Sequence, residues 1–418
     1  MELITTNSNV HQEYQLSKLD SKMGLAPYIG VISWYKHRID SHRLKIAIQK
    51  ILDSVPILGG RLVKKLFSPL KVVCNPQKDG VAFIHIDLNE QEINIDNLLD
   101  AKTYIKNEFN IPKKSSDAIN KDTPLVYVIL NHNQNYYGIT LFVNHLIADG
   151  GTYFQLLEYL SQAYEDPEYV AKSEPLFTID FNKIDNFMAA SFQKLSWKDK
   201  LLSSTSFIVF ILRYFLQNKN NWSYIECILT KEKLDLIKRK NQNQPNKEIA
   251  YSTNDALFEF LSVVPIKRFI FPCNLRYRNV GIPENYLGNA EALVSDLTKA
   301  ENNYMFKHTD VRKSINELPR IYSLIPTFNN NYFFHNSWVK LQNYLPGFGG
   351  KLILQKVFEF DDIPKKELLS FAVKCSLIYK LTENKYLLIY INLKDAVSQV
   401  GKKLTNLGVE EVIIKGLS

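Results

Sequence analysis

The sequence predicts a mixed α/β protein of two domains, and two observations carry this prediction. The chain has 418 residues, too many for one hydrophobic core, and fits two domains of roughly 200 residues each. A pattern of strand, polar turn, strand and helix also occurs twice, at 124–164 and at 370–407. The repeat indicates two similarly built halves.

The first half alternates apolar strands with helices. Ser41 is expected to cap a helix whose apolar residues recur at spacings of three and four, and Pro56 to end it. A second helix follows the last strand, at 152–164, with the same spacing. The strands of this half are expected at 31–36, 72–74, 81–86, 124–130 and 137–143.

The middle of the chain, from about 166 to 221, has no clear strand pattern and is expected to cross between the domains with some helix of its own. The longest apolar run, 207–216, is interrupted by Arg213 and too short to span a bilayer. It predicts a buried helix or strand, with docking onto a membrane surface as the alternative. In the second half, strands are expected at 370–381 and 386–393 and a helix at 395–407.

Composition excludes several classes of function. Hydrophobic residues make up 45% of the chain, which predicts a folded protein, and the net charge of +8 is modest for this length. No basic run with interleaved aromatics is present, so nucleic acid is not an expected partner. The four cysteines are far apart and form no CxxC pair, which indicates a reducing compartment and neither a disulfide framework nor a zinc site. The polar N-terminus lacks the apolar core of a signal peptide, so we expect a cytoplasmic protein.

The chemistry-bearing stretch is Val143 to Gly151, in which His145 and Asp149 follow an apolar strand and precede a glycine pair. A strand end beside a turn holds a side chain rigidly and leaves it open to a cleft, as a general base requires. Asp149 is better placed to cap the following helix or to pair with a distant cation. A packed or solvent-facing histidine is the alternative interpretation of His145.

With these pieces in place, the sequence resembles the BAHD acyltransferases, within the superfamily that includes condensation domains and chloramphenicol acetyltransferase. The resemblance runs along nearly the whole chain in the family's order. Seven motifs of the family have counterparts in this sequence. They are LSxLD at 16–20, PxxGRL at 56–62, HxxxDG at 145–150, the start of the second-domain helix at 252–257, NLRxR at 274–278, PxxYxGNA at 283–290 and the Ser-Trp pair at Ser337-Trp338.

One family segment is eroded. The DFGWG loop corresponds to 344–351, where only Phe-Gly and a later Gly-Lys survive, with Gly347 in place of the aspartate and no tryptophan. That loop is structural in the family, so we expect altered domain contacts or cofactor handling rather than a loss of activity. The residue before His145 is Asn144, whereas condensation domains commonly carry two adjacent histidines. This difference favours a free acyl thioester over a carrier-bound one.

The resemblance implies two chloramphenicol-acetyltransferase-like domains, each a mixed sheet flanked by helices, with a channel between them. The expected boundaries are 1–190 for the first domain, 191–225 for a crossover linker and 226–418 for the second domain. The implied activity is acyl transfer from acyl-CoA, a co-substrate, to a hydroxyl or amine of a small molecule. A monomer with no metal and no permanently bound cofactor is expected.

The resemblance also assigns roles to single residues. His145 is the general base, and Asp149 orients its loop by pairing with Arg276. The tetrahedral intermediate needs donors for its oxyanion, and Asn336, Ser337 and Asn289 are the candidates, with a surface or capping role as the alternative for each. Ser252 and Thr253 are candidate contacts of coenzyme A. Two alternatives stay open: a condensation-type enzyme that uses a carrier-bound thioester, and a catalytically silent scaffold of the same fold.

Overall fold

The structure is a computed structural model. It describes residues 1–7, 10–88, 111–166, 168, 176–193, 221–242, 253–261, 268–278, 280–297, 332–342, 345–357, 374–409 and 412–416. The apolar run 207–216 and Ser252 lie outside these residues, as does most of the expected linker 191–225.

The chain forms two compact units, and neither is a continuous stretch of sequence. Unit 1 comprises Met1–Asn186, Gly281–Ala290 and Asn343–Ile363, and unit 2 comprises Phe187–Val280, Glu291–Gln342 and Pro364–Ser418. The short segment Gly281–Ala290 therefore folds with the N-terminal part of the chain, which also carries His145. The expected boundaries at 190 and 225, and the expected channel, stay predictions.

Unit 1 is built on a six-stranded sheet in the order β1-β6-β7-β8-β3-β13, beside a three-stranded sheet in the order β2-β5-β4. In the larger sheet only β6 and β7 run parallel, and the other neighbours are antiparallel. The strands of this unit are β1 Glu2–Thr5, β2 Gln12–Gln15, β3 Ile29–Tyr35, β4 Arg61–Val63, β5 Lys71–Cys74, β6 Gly80–Asp87, β7 Val126–His132, β8 Tyr137–Val143 and β13 Leu352–Val357.

The helices of unit 1 are α1 Lys18–Lys22, α2 Ser41–Ser54 and α3 Gly150–Glu165, and α4 Phe181–Gln193 begins in unit 1 and ends in unit 2. The N-cap of α2 is Asp40, whose Oδ1 accepts a hydrogen bond from the backbone of Arg43, so the expectation that Ser41 caps this helix was wrong by one residue. Both residue types make good caps, and the sequence alone did not decide between them. Helices α2 and α3 pack on each other, with their apolar faces buried.

The segment that corresponds to the eroded DFGWG loop is a well-anchored turn of unit 1. Phe348 is fully buried between the rings of Tyr35 and Tyr164, although its φ of 47° lies in the left-handed region. The backbone N–H groups of Gly347 and Phe348 both donate to Oγ of Ser161 on α3. These contacts tie the turn to α3 and to the end of β3, so its role within this unit is structural.

Unit 2 contains a seven-stranded sheet in the order β11-β10-β12-β14-β15-β9-β16. Strand β12 runs parallel to both β10 and β14. Side chains of β9, β15 and the helices of this unit form a continuous apolar core. Its strands are β9 Trp222–Thr230, β10 Arg268–Asn274, β11 Glu291–Leu297, β12 Tyr332–Ser337, β14 Cys375–Lys380, β15 Lys385–Leu393 and β16 Val412–Gly416, and its helices are α5 Lys231–Gln242, α6 Thr253–Leu261 and α7 Lys394–Asn406.

The two units repeat the order of hairpin and helix that the sequence predicts, but with one difference. Strand β15 ends at Leu393 and α7 begins at the next residue. Strand β8 ends at Val143, whereas α3 begins only at Gly150. The intervening loop, 144–149, has no counterpart in the second hairpin, and it carries His145.

Candidate active site

The loop 144–149 is shaped by hydrogen bonds of Asn144 and Ser115, both of which are buried. Asn144 accepts from the backbone of Leu146 at 2.9 Å and donates to the carbonyl oxygen of Ser115 at 3.0 Å. The backbone N–H of His145 donates to Oγ of Ser115 at 2.9 Å. The loop is therefore held both by its own hydrogen bond, from Leu146 to Asn144, and by hydrogen bonds to Ser115. Ser115 was missed by sequence analysis, since a serine 30 residues away in an irregular segment gives no sequence signal.

Asp149 joins the start of α3 to the segment Gly281–Ala290. It is fully buried and is the N-cap residue of α3, where its Oδ1 accepts from the backbone of Thr152 at 2.8 Å. Its Oδ2 accepts from the backbone N–H of Ala290, also at 2.8 Å. The carboxylate of Asp149 thus fixes both the helix that follows His145 and the segment Gly281–Ala290, which carries Asn289.

The same segment is anchored by Thr152 and requires a glycine at one position. Oγ of Thr152 donates to the carbonyl oxygen of Gly288 at 2.9 Å and accepts from its N–H at 3.3 Å. Gly288 has a φ of +122°, and a Cβ at this position would lie 2.9 Å from a ring carbon of Phe181. Both backbone conformation and packing therefore exclude a side chain here.

The side chain of His145 is half-buried and faces Asn289. Its Nδ1 lies 3.1 Å from Oδ1 of Asn289. Burial lowers the pKa of His145, whereas a hydrogen bond to its own backbone, the charge of Asp149 and the amide of Asn289 oppose the shift. Since burial dominates, the imidazole is neutral at neutral pH, and a neutral imidazole has a lone pair with which it can accept a proton.

Asn289 is held in turn by Asp20, at the end of the motif 16–20. Oδ1 of Asp20 accepts from the backbone N–H of Asn289 at 2.7 Å and from its Nδ2 at 2.8 Å. Oδ2 of Asp20 accepts from the backbone N–H and from Oγ of Ser17. Burial raises the pKa of Asp20 to about 6, and the hydrogen bonds from Ser17 and Asn289 limit the rise. Sequence analysis gave Asp20 no role, and its spacing of 269 residues from Asn289 offered no signal.

The remaining expected site residues lie in unit 2. Arg276 is buried on a short turn after β10, where Oδ1 of Asn274 accepts from its backbone N–H and from Nη1. Asn336 and Ser337 end β12, and Oγ of Ser337 is buried with no hydrogen-bond partner in the part of the chain that the structure describes. Thr253 is the first residue of α6. The pairing of Asp149 with Arg276 and the donor roles stay predictions.

Within the described ranges, no three or more His, Cys, Asp or Glu side chains are grouped so that they could hold a metal ion. No helix among the residues that the structure covers is both long and apolar enough to cross a membrane. All four cysteines are free thiols.

Comparison with known proteins supports the fold. No family model matches the sequence, and no curated protein sequence matches it. Among solved structures, TRI101 of F. graminearum with ethyl coenzyme A is 13% identical, with 97% of this chain and 100% of that chain covered and a TM-score of 0.62. Vinorine synthase is 16% identical, with 97% of each chain covered and a TM-score of 0.63. The epimerization domain of tyrocidine synthetase B is 12% identical, with 98% of each covered and a TM-score of 0.55.

At these identities, what the chain shares with the three proteins is the fold. TRI101 and vinorine synthase are both BAHD acyltransferases. The protein thus has the two-domain, chloramphenicol-acetyltransferase-like fold, and the predicted fold class is confirmed.

Proposed function

We propose that the protein is a divergent BAHD acyltransferase that moves an acyl group from coenzyme A to a hydroxyl or amine of a small molecule. Two solved structures of one neighbour support the donor, since TRI101 was crystallised with ethyl coenzyme A and with coenzyme A plus deoxynivalenol. The motifs at 145–150 and 283–290, which the sequence shares with the family, pack against each other around His145.

The observation that carries the proposal is the placement of His145. It follows β8 on a loop that the second hairpin lacks, its pKa is lowered, and its ring is held by Asn289. Such a histidine can take the proton from an acceptor hydroxyl or amine as the acceptor attacks the thioester carbon. When the tetrahedral intermediate collapses, the C–S bond breaks and the departing thiolate receives that proton. No acyl-enzyme is needed, which agrees with the absence of a GxSxG nucleophile motif from the sequence.

The other site residues take supporting roles in this proposal. Asp149 holds the loop and pairs with Arg276, and Ser252 and Thr253 contact coenzyme A. The oxyanion needs donors aimed at it, and Ser337 suits this role because its buried hydroxyl has no partner among the described residues. Asn336 is the second candidate. Asn289 is less suited, since both hydrogens of its amide are already donated.

Two rival functions make different predictions. A condensation-type enzyme would use a carrier-bound thioester, and the epimerization domain of tyrocidine synthetase B, part of a peptide synthetase module, is similar to this chain in fold. A scaffold would bind no acyl donor at all, yet nothing about a scaffold requires the buried contacts that fix His145. Acylation of a lipid alcohol at a membrane surface is a variant of the first proposal, suggested by the run 207–216 and tested by co-sedimentation with liposomes.

A panel of acyl-CoA donors of different chain length separates these functions. Slow thioester hydrolysis by the purified protein, followed with a thiol-reactive dye, should exceed background for one class of chain length. The same donors should raise the melting temperature, because ligands that bind only the folded state stabilise it. Silence across the panel, together with turnover of a carrier-bound thioester, would favour the condensation-type enzyme. Silence with both donors would favour the scaffold.

The rate should also depend on pH in a defined direction. Because burial lowers the pKa of His145 below its ordinary value of 6.5, the neutral base persists to lower pH. The acid limb of kcat/KM, which reports the free enzyme, should therefore lie below about pH 6.5. An acid limb well above that value would contradict the assignment of His145 as the base.

A further inference from the structure

We propose that Asn289 and Asp20 are positioning residues that hold His145 as the tautomer with its hydrogen on Nδ1 and its lone pair on Nε2. The inference deepens the proposed function and rests on it only for its catalytic consequence. The tautomer of His145, that is, which ring nitrogen carries the hydrogen, can be measured without any acyl donor.

The amide of Asn289 has only one satisfactory orientation. Its Nδ2 lies 2.8 Å from Oδ1 of Asp20 and 2.8 Å from the carbonyl oxygen of His145, and a carbonyl or a carboxylate oxygen can only accept. If the amide were flipped, its oxygen would face both of these acceptors and no hydrogen would lie between them. The two acceptors therefore direct Nδ2 toward themselves and Oδ1 toward the imidazole.

The orientation of the amide decides the tautomer of the ring. Oδ1 of Asn289 lies 3.1 Å from Nδ1 of His145, and an amide oxygen accepts but does not donate. Nδ1 must therefore carry the hydrogen when the imidazole is neutral. The lone pair is then on Nε2, the nitrogen on the other side of the ring, which is the atom that can act as base.

Asp20 determines which way the amide of Asn289 is oriented. Its carboxylate is fully buried and receives four hydrogen bonds, two from Asn289 and two from Ser17. A neutral amide at this position could offer either a donor or an acceptor to Asn289, whereas the carboxylate offers acceptors alone. The negative charge also polarises the amide, so it favours the imidazolium that forms when Nε2 takes a proton.

The decisive measurement is the ¹⁵N NMR spectrum of the full-length protein labelled at histidine, recorded at neutral pH without substrate. The sequence contains eight histidines, and the signals of His145 are identified by their loss in His145→Gln. We expect the wild type to show a protonated Nδ1 and an unprotonated Nε2. A protonated Nε2 in the wild type would overturn the proposal, whatever the protein's activity.

Variants of Asn289 and Asp20 then test the role of each residue. Asn289→Ala should raise the share of the other tautomer, to an extent limited by the hydrogen bond that the ring makes to its own backbone, and the isosteric Asp20→Asn should give a smaller shift in the same direction. Where turnover is measurable, kcat should fall about 10- to 100-fold with little change in KM, as expected when a reacting group is misplaced by a fraction of an ångström. Unchanged tautomers in both variants would contradict the proposed roles.

A matched control is available in the same unit. Oδ2 of Asp79 accepts from the backbone N–H and from Nδ2 of Asn75, the same pair of contacts that Asp20 makes with Asn289, but in the turn between β5 and β6. Asp79→Asn should leave the tautomer and kcat unchanged. A correct tautomer in a protein that turns over no thioester would refute the proposed function and leave the positioning roles standing.

Discussion

Nδ2 of Asn289 lies 2.8 Å from Oδ1 of Asp20, although the two residues are 269 positions apart in the chain. The contact links the N-terminal motif 16–20 to the motif 283–290, and His145 lies on the other side of the same amide. The motifs 16–20, 145–150 and 283–290, which are separate in sequence, are therefore joined within unit 1 by one network of hydrogen bonds.

Asp20 should make the stability of the protein depend on pH. Its pKa rises from 3.8 to about 6 on folding, so the folded state binds the proton more tightly than the unfolded state. The contribution of Asp20 to the free energy of unfolding should therefore grow as the pH falls through 6 toward 4, by at most about 3 kcal/mol. Urea unfolding of the wild type and Asp20→Asn at both ends of this range measures it. The variant should gain stability relative to the wild type as the pH rises, and a difference that is constant with pH would refute the shift.

Gly288 should tolerate no side chain, and Gly281 provides the matched control. Both residues have positive φ, of +122° and +81°, but a Cβ on Gly281 would meet no atom within 4 Å. Gly288→Ala adds a clash with Phe181 to the backbone strain, so it should cost about 1–3 kcal/mol more than Gly281→Ala. It should also lower kcat, because it displaces Asn289. Equal costs measured by urea unfolding would show that the packing around Gly288 adjusts freely.

Asp149 should act through two separate contacts. Asp149→Ala removes the cap of α3 and the bond to Ala290, whereas Asp149→Asn can keep the cap through its remaining oxygen. We expect the alanine variant to be less stable by roughly another 1 kcal/mol, and both variants to lose activity.

A double-mutant cycle of Asp149→Asn with Arg276→Gln tests the predicted ion pair. Coupling of roughly 0.5–3 kcal/mol in the free energy of unfolding is expected for paired residues. Additive effects would show that the two residues do not interact.

Phe348 should matter for stability rather than for chemistry. The side chain is fully buried between Tyr35 and Tyr164, so Phe348→Ala should cost about 3–5 kcal/mol. The kcat of the fraction that remains folded should be unchanged, since the hydrogen bonds and ring contacts that the structure describes for this turn go to β3, His37 and α3 and not to the loop of His145. A large fall in kcat at full folding, judged by near-UV circular dichroism, would instead assign the turn a part in catalysis.

Sequence reasoning succeeded where the signal is local. The hairpin and helix around His145, the repeat in the second half and the fold class follow from apolar spacing and from motifs in a fixed order. The cap of α2 is Asp40 and not Ser41, and the sequence could not decide between these neighbours because aspartate and serine are about equally good N-cap residues. Ser115 and Asp20 were missed because their contacts to His145 and Asn289 join distant segments, and only tertiary packing brings these together. Asn289 was selected as a polar residue of the site, but the hydrogens it has already donated favour a positioning role.

The most direct test of the account is the release of thiol from acyl-CoA by the wild type and by His145→Ala. If His145 is the base, the variant should keep its melting temperature and lose at least about 100-fold in kcat, the lower range for general base catalysis. His42→Ala, which removes an exposed histidine on α2, should keep the full rate. A folded His145→Ala variant that releases thiol at the wild-type rate would contradict the central claim.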